Sequence, residues 1–113
     1  MVRHHKAPER CDYVWLDFSP VRGREQAGRR PALVVSRKIY NASSGLALVC
    51  PVTSQEKQYP FEVSTYHSQV KGVILVDQLQ CIDWLARKPR YIAKAPENVV
   101  ELVVEKIKLL VSK

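Results

Sequence analysis

The chain has 113 residues, 46% hydrophobic and 26% charged, an ordinary globular composition that excludes an intrinsically disordered chain. No apolar run approaches the length of a membrane span, and the opening MVRHHKAPER lacks the apolar segment of a secretory signal, so the expected setting is the cytoplasm, with no membrane partner. The net charge of +7 is concentrated: residues 1–40 hold nine Lys/Arg against four Asp/Glu, or +5, leaving +2 for the rest of the chain, a distribution that favours a polyanionic partner. One domain over 1–113 is expected, with residues 1–10 as a frayed basic tail.

After the tail, DYVWLDF (12–18) alternates as a strand does, and SPVRGREQAGRR has the Pro, Gly and polar content of a long connection. Pro31 opens PALVVS, a nearly continuous apolar run that reads as a buried strand. RKIYNASSG (37–45) is a short helix or a loop, LALVCPV (46–52) a third strand, TSQEKQYP a polar loop and FEVST a short strand. GVILVDQLQCIDW (72–84) is a long β-rich segment that bends at Asp77–Gln78, where polar residues interrupt it, and RYIAKA offers one more strand. From Pro96 the pattern changes to a helical period, with Val99, Val103, Ile107, Leu110 and Val111 on one face and Glu97, Glu101, Glu105 and Lys108 on the other. The expected fold is mostly β with added helix (α+β): a small, curled, antiparallel sheet or compact barrel closed by a C-terminal helix.

Cys11, Cys50 and Cys81 lack CxxC spacing, and the last two lie in apolar runs, so buried reduced thiols are expected. His4 and His5 lie on the tail and His67 stands alone; no metal site and no cofactor are expected.

Chemistry is concentrated in a few places. Arg22, Arg24, Arg29 and Arg30 surround Glu25 on a connection too polar to be core, and Arg30 precedes Pro31 at the mouth of a buried strand. A guanidinium on a rigid strand end holds its planar fork in one direction, which suits a phosphate; a solvated basic loop is the alternative, above all for Arg22 and Arg24. Thr53 and Ser54 follow where the third strand leaves the core and can either donate to an anion or cap a turn. Asp77 and Gln78 interrupt an apolar strand and need partners if buried, and a pairing of Arg30 with Asp77 would make both structural.

Taken in order, GREQAGRRPALVVS, CPVTSQ, YPFEV, GVILVDQ and the closing helix resemble the MazF/PemK family of bacterial toxins, most closely its MazF branch, from about Asp12 to about Val111. The resemblance implies a partly open SH3-like β-barrel. It also implies a sequence-specific, ribosome-independent endoribonuclease acting on single-stranded RNA, an mRNA interferase, working as a homodimer and inhibited by a MazE-like antitoxin. The implied reaction needs no metal: the substrate's 2′-OH attacks the adjacent phosphodiester, leaving 2′,3′-cyclic phosphate and 5′-OH ends. Arg30 and Thr53 match the family's catalytic pair, with Glu25 the candidate base or, equally, an organising salt-bridge partner of Arg29 or Arg30. Arg24, Arg29, Ser54, Gln55, Lys57, Gln58, Asp77 and Gln78 complete the expected RNA-binding set. Two departures matter. The PemK branch carries an Arg two residues before the Asp of its DQ motif, where this chain has Leu75, and no histidine lies in the basic loop, since Arg29 is the residue before Arg30, so neither acid–base scheme transfers. Binding of nucleic acid without catalysis, or of gyrase in the manner of CcdB, are the competing readings.

Overall fold

The computed structural model describes residues 7–18 and 28–113. The strands are β1 (Asp12–Asp17), β2 (Arg29–Val34), β3 (Leu46–Thr53), β4 (Glu62–Ser64), β5 (Val73–Leu75), β6 (Gln80–Asp83) and β7 (Arg90–Lys94), with helices α1 (Lys38–Ser44), α2 (Trp84–Arg87) and α3 (Glu97–Val111). All recorded pairings are antiparallel, in the order β4-β5-β3-β2-β1-β7, with β6 also on β3.

The sheet buries both faces. One face carries Tyr13, Leu33, Cys50, Val52 and Ile74 beneath Val99, Val100 and Val103 of α3, and the other carries Val14, Leu16, Ala32, Val34, Val49 and Trp84. Strands covered on both sides need apolar residues at consecutive positions, which is why PALVV and LALVCPV read as unbroken runs.

Residues 73–83 run as one segment along a single edge of β3, first as β5 and then as β6. Between Ile74, opposite Val52, and Gln80, opposite Val49, five residues face two, and the excess is taken up by a 3-10 turn at Val76–Gln78. The bend expected at Asp77–Gln78 is this turn.

Several expectations change. Residues 37–45 resolve as α1, closed by Gly45 in the left-handed region (φ 77°), whose N–H donates to Asn41 O. Residues 7–10 pack instead of fraying: Ala7 is buried, Asn41 Nδ2 donates to Pro8 O at 2.8 Å and Arg10 pairs with Glu97 at 2.6 Å. Cys81 is exposed, because on β6 only Ile82 faces a core cluster. Leu110 and Val111 are exposed as well, since the cluster beneath α3 ends at Ile107, whereas Val100 is fully buried. The turn α2 was not expected; Asp83 caps it by accepting from Ala86 N at 3.0 Å. Among the described residues no helix is long and apolar enough to cross a membrane.

Candidate active site

Arg30 and Thr53 come from two strands that pair, β2 and β3, at Val34↔Val49, Leu33↔Cys50 and Ala32↔Pro51. Arg30 lies two residues before Ala32 and Thr53 two residues after Pro51, so both belong to the sheet face that carries this pair, at the ends of their strands. On the other side Arg30 pairs with Leu16 of β1. The backbone of Arg30 is therefore held by β1 just where the apolar run ends, and its side chain is half-buried.

Thr53 is held from the opposite edge, where it pairs with Val73. Gly72, with φ +129°, lets the chains approach so closely that a Cβ at that position would lie 2.2 Å from Thr53 O. Thr53 is 6% exposed, and its Oγ1 accepts the N–H of Gln55 at 3.2 Å, which starts the following loop and leaves the hydroxyl hydrogen to donate. A guanidinium and a hydroxyl on one strand-end face can together bind a phosphate: the first neutralises charge on its oxygens, the second donates a directed hydrogen bond.

The other sequence-named residues divide into three groups. Arg22, Arg24 and Glu25 lie outside the described residues. Arg29 is exposed, with its guanidinium carbon 5.6 Å from the centroid of the Trp15 ring. Ser54, Gln55, Lys57 and Gln58 are exposed on the loop that begins at Thr53. Asp77, on the 3-10 turn, accepts from Tyr59 Oη at 2.9 Å, which ties the turn to that loop and raises the pKa of the Tyr59 hydroxyl; Gln78 beside it is half-buried. His67 packs edge-on against Tyr13, ring centroids 5.8 Å apart. Leu75 is buried in β5, so the position next to Asp77 where the PemK branch places an arginine belongs to the core here.

Sequence reasoning missed Gly72, Tyr59, Glu62 and Lys106. Glu62 accepts from Lys57 N (3.1 and 3.2 Å) and Tyr59 N (3.3 Å), and Lys106 of α3 donates to Pro60 O at 2.7 Å. A glycine before a strand was the one legible signal among them. A separate concavity of about 610 Å³, lined by Pro8, Val14, Trp84, Leu85 and Tyr91, contains none of the sequence-named site residues. Among the described residues no group of three or more His, Cys, Asp or Glu side chains comes together to hold a metal ion.

This arrangement has close counterparts. The family described as PemK-like, MazF-like toxin of type II toxin-antitoxin system matches residues 9–111. The chain belongs to this family. "Endoribonuclease toxin MazF" of Escherichia coli (strain K12) is 40% identical over 104 residues, 92% of this chain and 94% of that protein. The crystal structure of MazF (Form-I) from Deinococcus radiodurans matches with a TM-score of 0.89 at 44% identity, covering 95% of this chain and 98% of that one. A MazE-MazF crystal structure (Form-II) from the same organism matches at 0.81 and 46%, covering 92% and 95%. Within the toxin family the chain stands on the MazF side, in keeping with Leu75, and it shares the antiparallel sheet and C-terminal helix of these structures.

Proposed function

We propose that this MazF-family chain is a sequence-specific, ribosome-independent, metal-independent endoribonuclease that cleaves single-stranded mRNA. The observation that supports the proposal is that Arg30 and Thr53 lie on one face of the sheet at the ends of the paired strands β2 and β3, with an exposed polar loop leading directly away from Thr53. The substrate's 2′-OH attacks the adjacent phosphorus and the 5′-oxygen departs, giving a 2′,3′-cyclic phosphate and a 5′-OH end. Arg30 stabilises the charge that builds on the non-bridging oxygens, and Thr53 donates a hydrogen bond to the same phosphoryl group. A guanidinium, with a pKa above about 12, is an electrostatic clamp and a poor proton donor. The base that accepts the 2′-OH proton is assigned to Glu25, whose carboxylate stands among four arginines in the sequence.

Bases are read by Arg24, Arg29, Ser54, Gln55, Lys57 and Gln58, while Asp77 and Gln78 border that surface; unpaired RNA can offer Watson–Crick edges to such groups. The sheet is read as a partly open SH3-like barrel, in which Tyr13 of β1 reaches across to donate to Thr65 O at 2.9 Å, just beyond β4. A homodimer would extend the RNA platform beyond one chain of 113 residues. The MazE-MazF complexes known from Deinococcus radiodurans support inhibition by a MazE-like antitoxin, an acidic segment suited to the basic site.

The test is incubation of purified, antitoxin-free protein with a long single-stranded RNA in excess EDTA, beside Arg30→Ala and Thr53→Ala. Cuts at one short motif, with 2′,3′-cyclic phosphate and 5′-OH ends and strongly reduced in both variants, are expected. RNA left intact by the folded parent overturns the proposal and leaves a binding role for the arginine loop.

A further inference from the structure

The loop between Thr53 and Phe61 has no regular secondary structure, and every residue from Ser54 to Pro60 is exposed. Such a segment is ordinarily mobile, because nothing apolar is buried to offset its conformational entropy. Here it is fastened along its length, by the strand that follows it and by parts of the chain distant in sequence. Glu62 takes the N–H groups of both Lys57 and Tyr59, so the backbone is wrapped around one carboxylate. Between those two residues Gln58 sits in the left-handed region at φ 57°, a conformation a non-glycine residue holds only when its surroundings impose it. Tyr59 Oη then donates to Asp77 of the 3-10 turn at 2.9 Å, and Lys106 of α3 donates to Pro60 O at 2.7 Å. Beneath the loop Phe61 is half-buried against the core cluster, and its carbonyl accepts the N–H of Val76, next to Asp77.

None of these bonds uses the side chains of Gln55, Lys57 or Gln58. The fastening uses backbone groups and the Tyr59 hydroxyl, and the side chains of Gln55, Lys57 and Gln58 lie on exposed residues. We infer that Asp77 and Glu62 are positioning residues that set RNA affinity and sequence preference without touching RNA, by holding the Ser54–Pro60 loop in its reading conformation through Tyr59 and the Lys57 and Tyr59 amides; this rests on the ribonuclease reading above. A loop held in advance does not have to be ordered when RNA binds, so its fastening acts on binding more than on the chemical step.

The interaction is tested with Tyr59→Phe, which removes only the hydroxyl, with Asp77→Ala and with the double variant. Steady-state cleavage of a short RNA carrying the recognised motif and mapping of cut sites on a long RNA provide the readouts. Tyr59→Phe and Asp77→Ala each raise KM by about three- to tenfold, the range of one ordinary, solvent-exposed hydrogen bond, with a smaller change in kcat and a broader set of cut sites. The double variant is no worse than either single one, and Asp77→Asn, whose amide oxygen still accepts from Tyr59, is impaired less than Asp77→Ala. If Asp77→Ala is impaired while Tyr59→Phe behaves as the parent, Asp77 meets RNA itself and the positioning role is overturned. If the folded parent cuts no RNA, the ribonuclease reading fails on its own, and backbone ¹⁵N relaxation then decides the loop question. Raised mobility at residues 54–60 in Tyr59→Phe upholds the fastening, and relaxation unchanged from the parent overturns it.

Discussion

Replacing Gly72 by alanine isolates the backbone approach that seats Thr53. The new Cβ would lie 2.2 Å from Thr53 O, 2.9 Å from Thr53 C and 3.1 Å from Ser54 Cα, so the two backbones must separate. Relief to an ordinary contact needs a shift of about 1 Å, because well-packed neighbours have no slack to absorb it. The φ of +129° adds strain for any side chain, about 1–3 kcal/mol. With forced overpacking of comparable size, the total is roughly 2–6 kcal/mol, or a fall in Tm of about 8–24 °C at about 4 °C per kcal/mol. The functional effect should exceed the stability effect at temperatures where the variant remains folded. A displacement of about 1 Å of a group that contacts the reacting phosphate costs on the order of a hundredfold in rate. Thermal denaturation and cleavage of a fluorophore-quencher RNA, both on the same preparation, check the two parts. Parental Tm together with parental cleavage would refute the reasoning, because the Gly72–Thr53 approach would then be incidental to the site. Lower Tm with unchanged cleavage well below the transition would show that the approach serves the fold and not Thr53.

Thiol chemistry gives an independent check of the burial pattern. Burial pushes the Cys11 thiol up to about 11 and the Cys50 thiol up to about 12, so both stay protonated and covered at pH 8, while Cys81 is exposed. Titration of the native protein with an aromatic disulfide should therefore show one rapid equivalent, which Cys81→Ser removes; rapid reaction of all three would contradict the fold. Acid stability follows the carboxylates that tie the N-terminal segment down. Hydrogen bonds from Arg10 and then Cys11 lower the pKa of Glu97, and hydrogen bonding and charge from Lys94 and then Lys38 lower that of Glu9. Groups depressed in the folded state add stability above their ordinary value of 4.5 and lose it as pH falls through the lower folded value. Urea midpoints measured from pH 7 down to about 3 should fall less steeply below pH 4.5 in Glu97→Gln than in the parent, and parallel curves would refute the assignment.

Much of the fold was legible because its strands are buried on both faces. Ala32, Leu33 and Val34, like Val49, Cys50 and Val52, had to be apolar at almost every position, and that leaves a run no loop would carry. The bend at Asp77–Gln78 was legible for the converse reason, since polar residues inside such a run can only sit where the segment leaves the sheet. Legibility fails where a residue's surroundings come from elsewhere in the chain. Cys81 looks buried in QLQCIDW, yet its exposure depends on what covers β6. Leu110 and Val111 continue the apolar face of α3, but where that face stops being covered is set by the cluster below it.

The site shows the same division more sharply. Arg30 and Thr53 are recognisable separately, as a guanidinium before a proline-led strand and a hydroxyl at the end of another, but 23 positions separate them in the sequence. Their placement on one face follows from the pairing of Ala32 with Pro51, and that register is fixed by the alternation of Leu33 and Cys50 toward α3 with Val34 and Val49 toward the other cluster. A slip of one residue would reverse those faces, exchange the two core clusters and part Arg30 from Thr53. The apolar residues that give the chain its core are thus also the ones that set Arg30 and Thr53 on one face of the sheet.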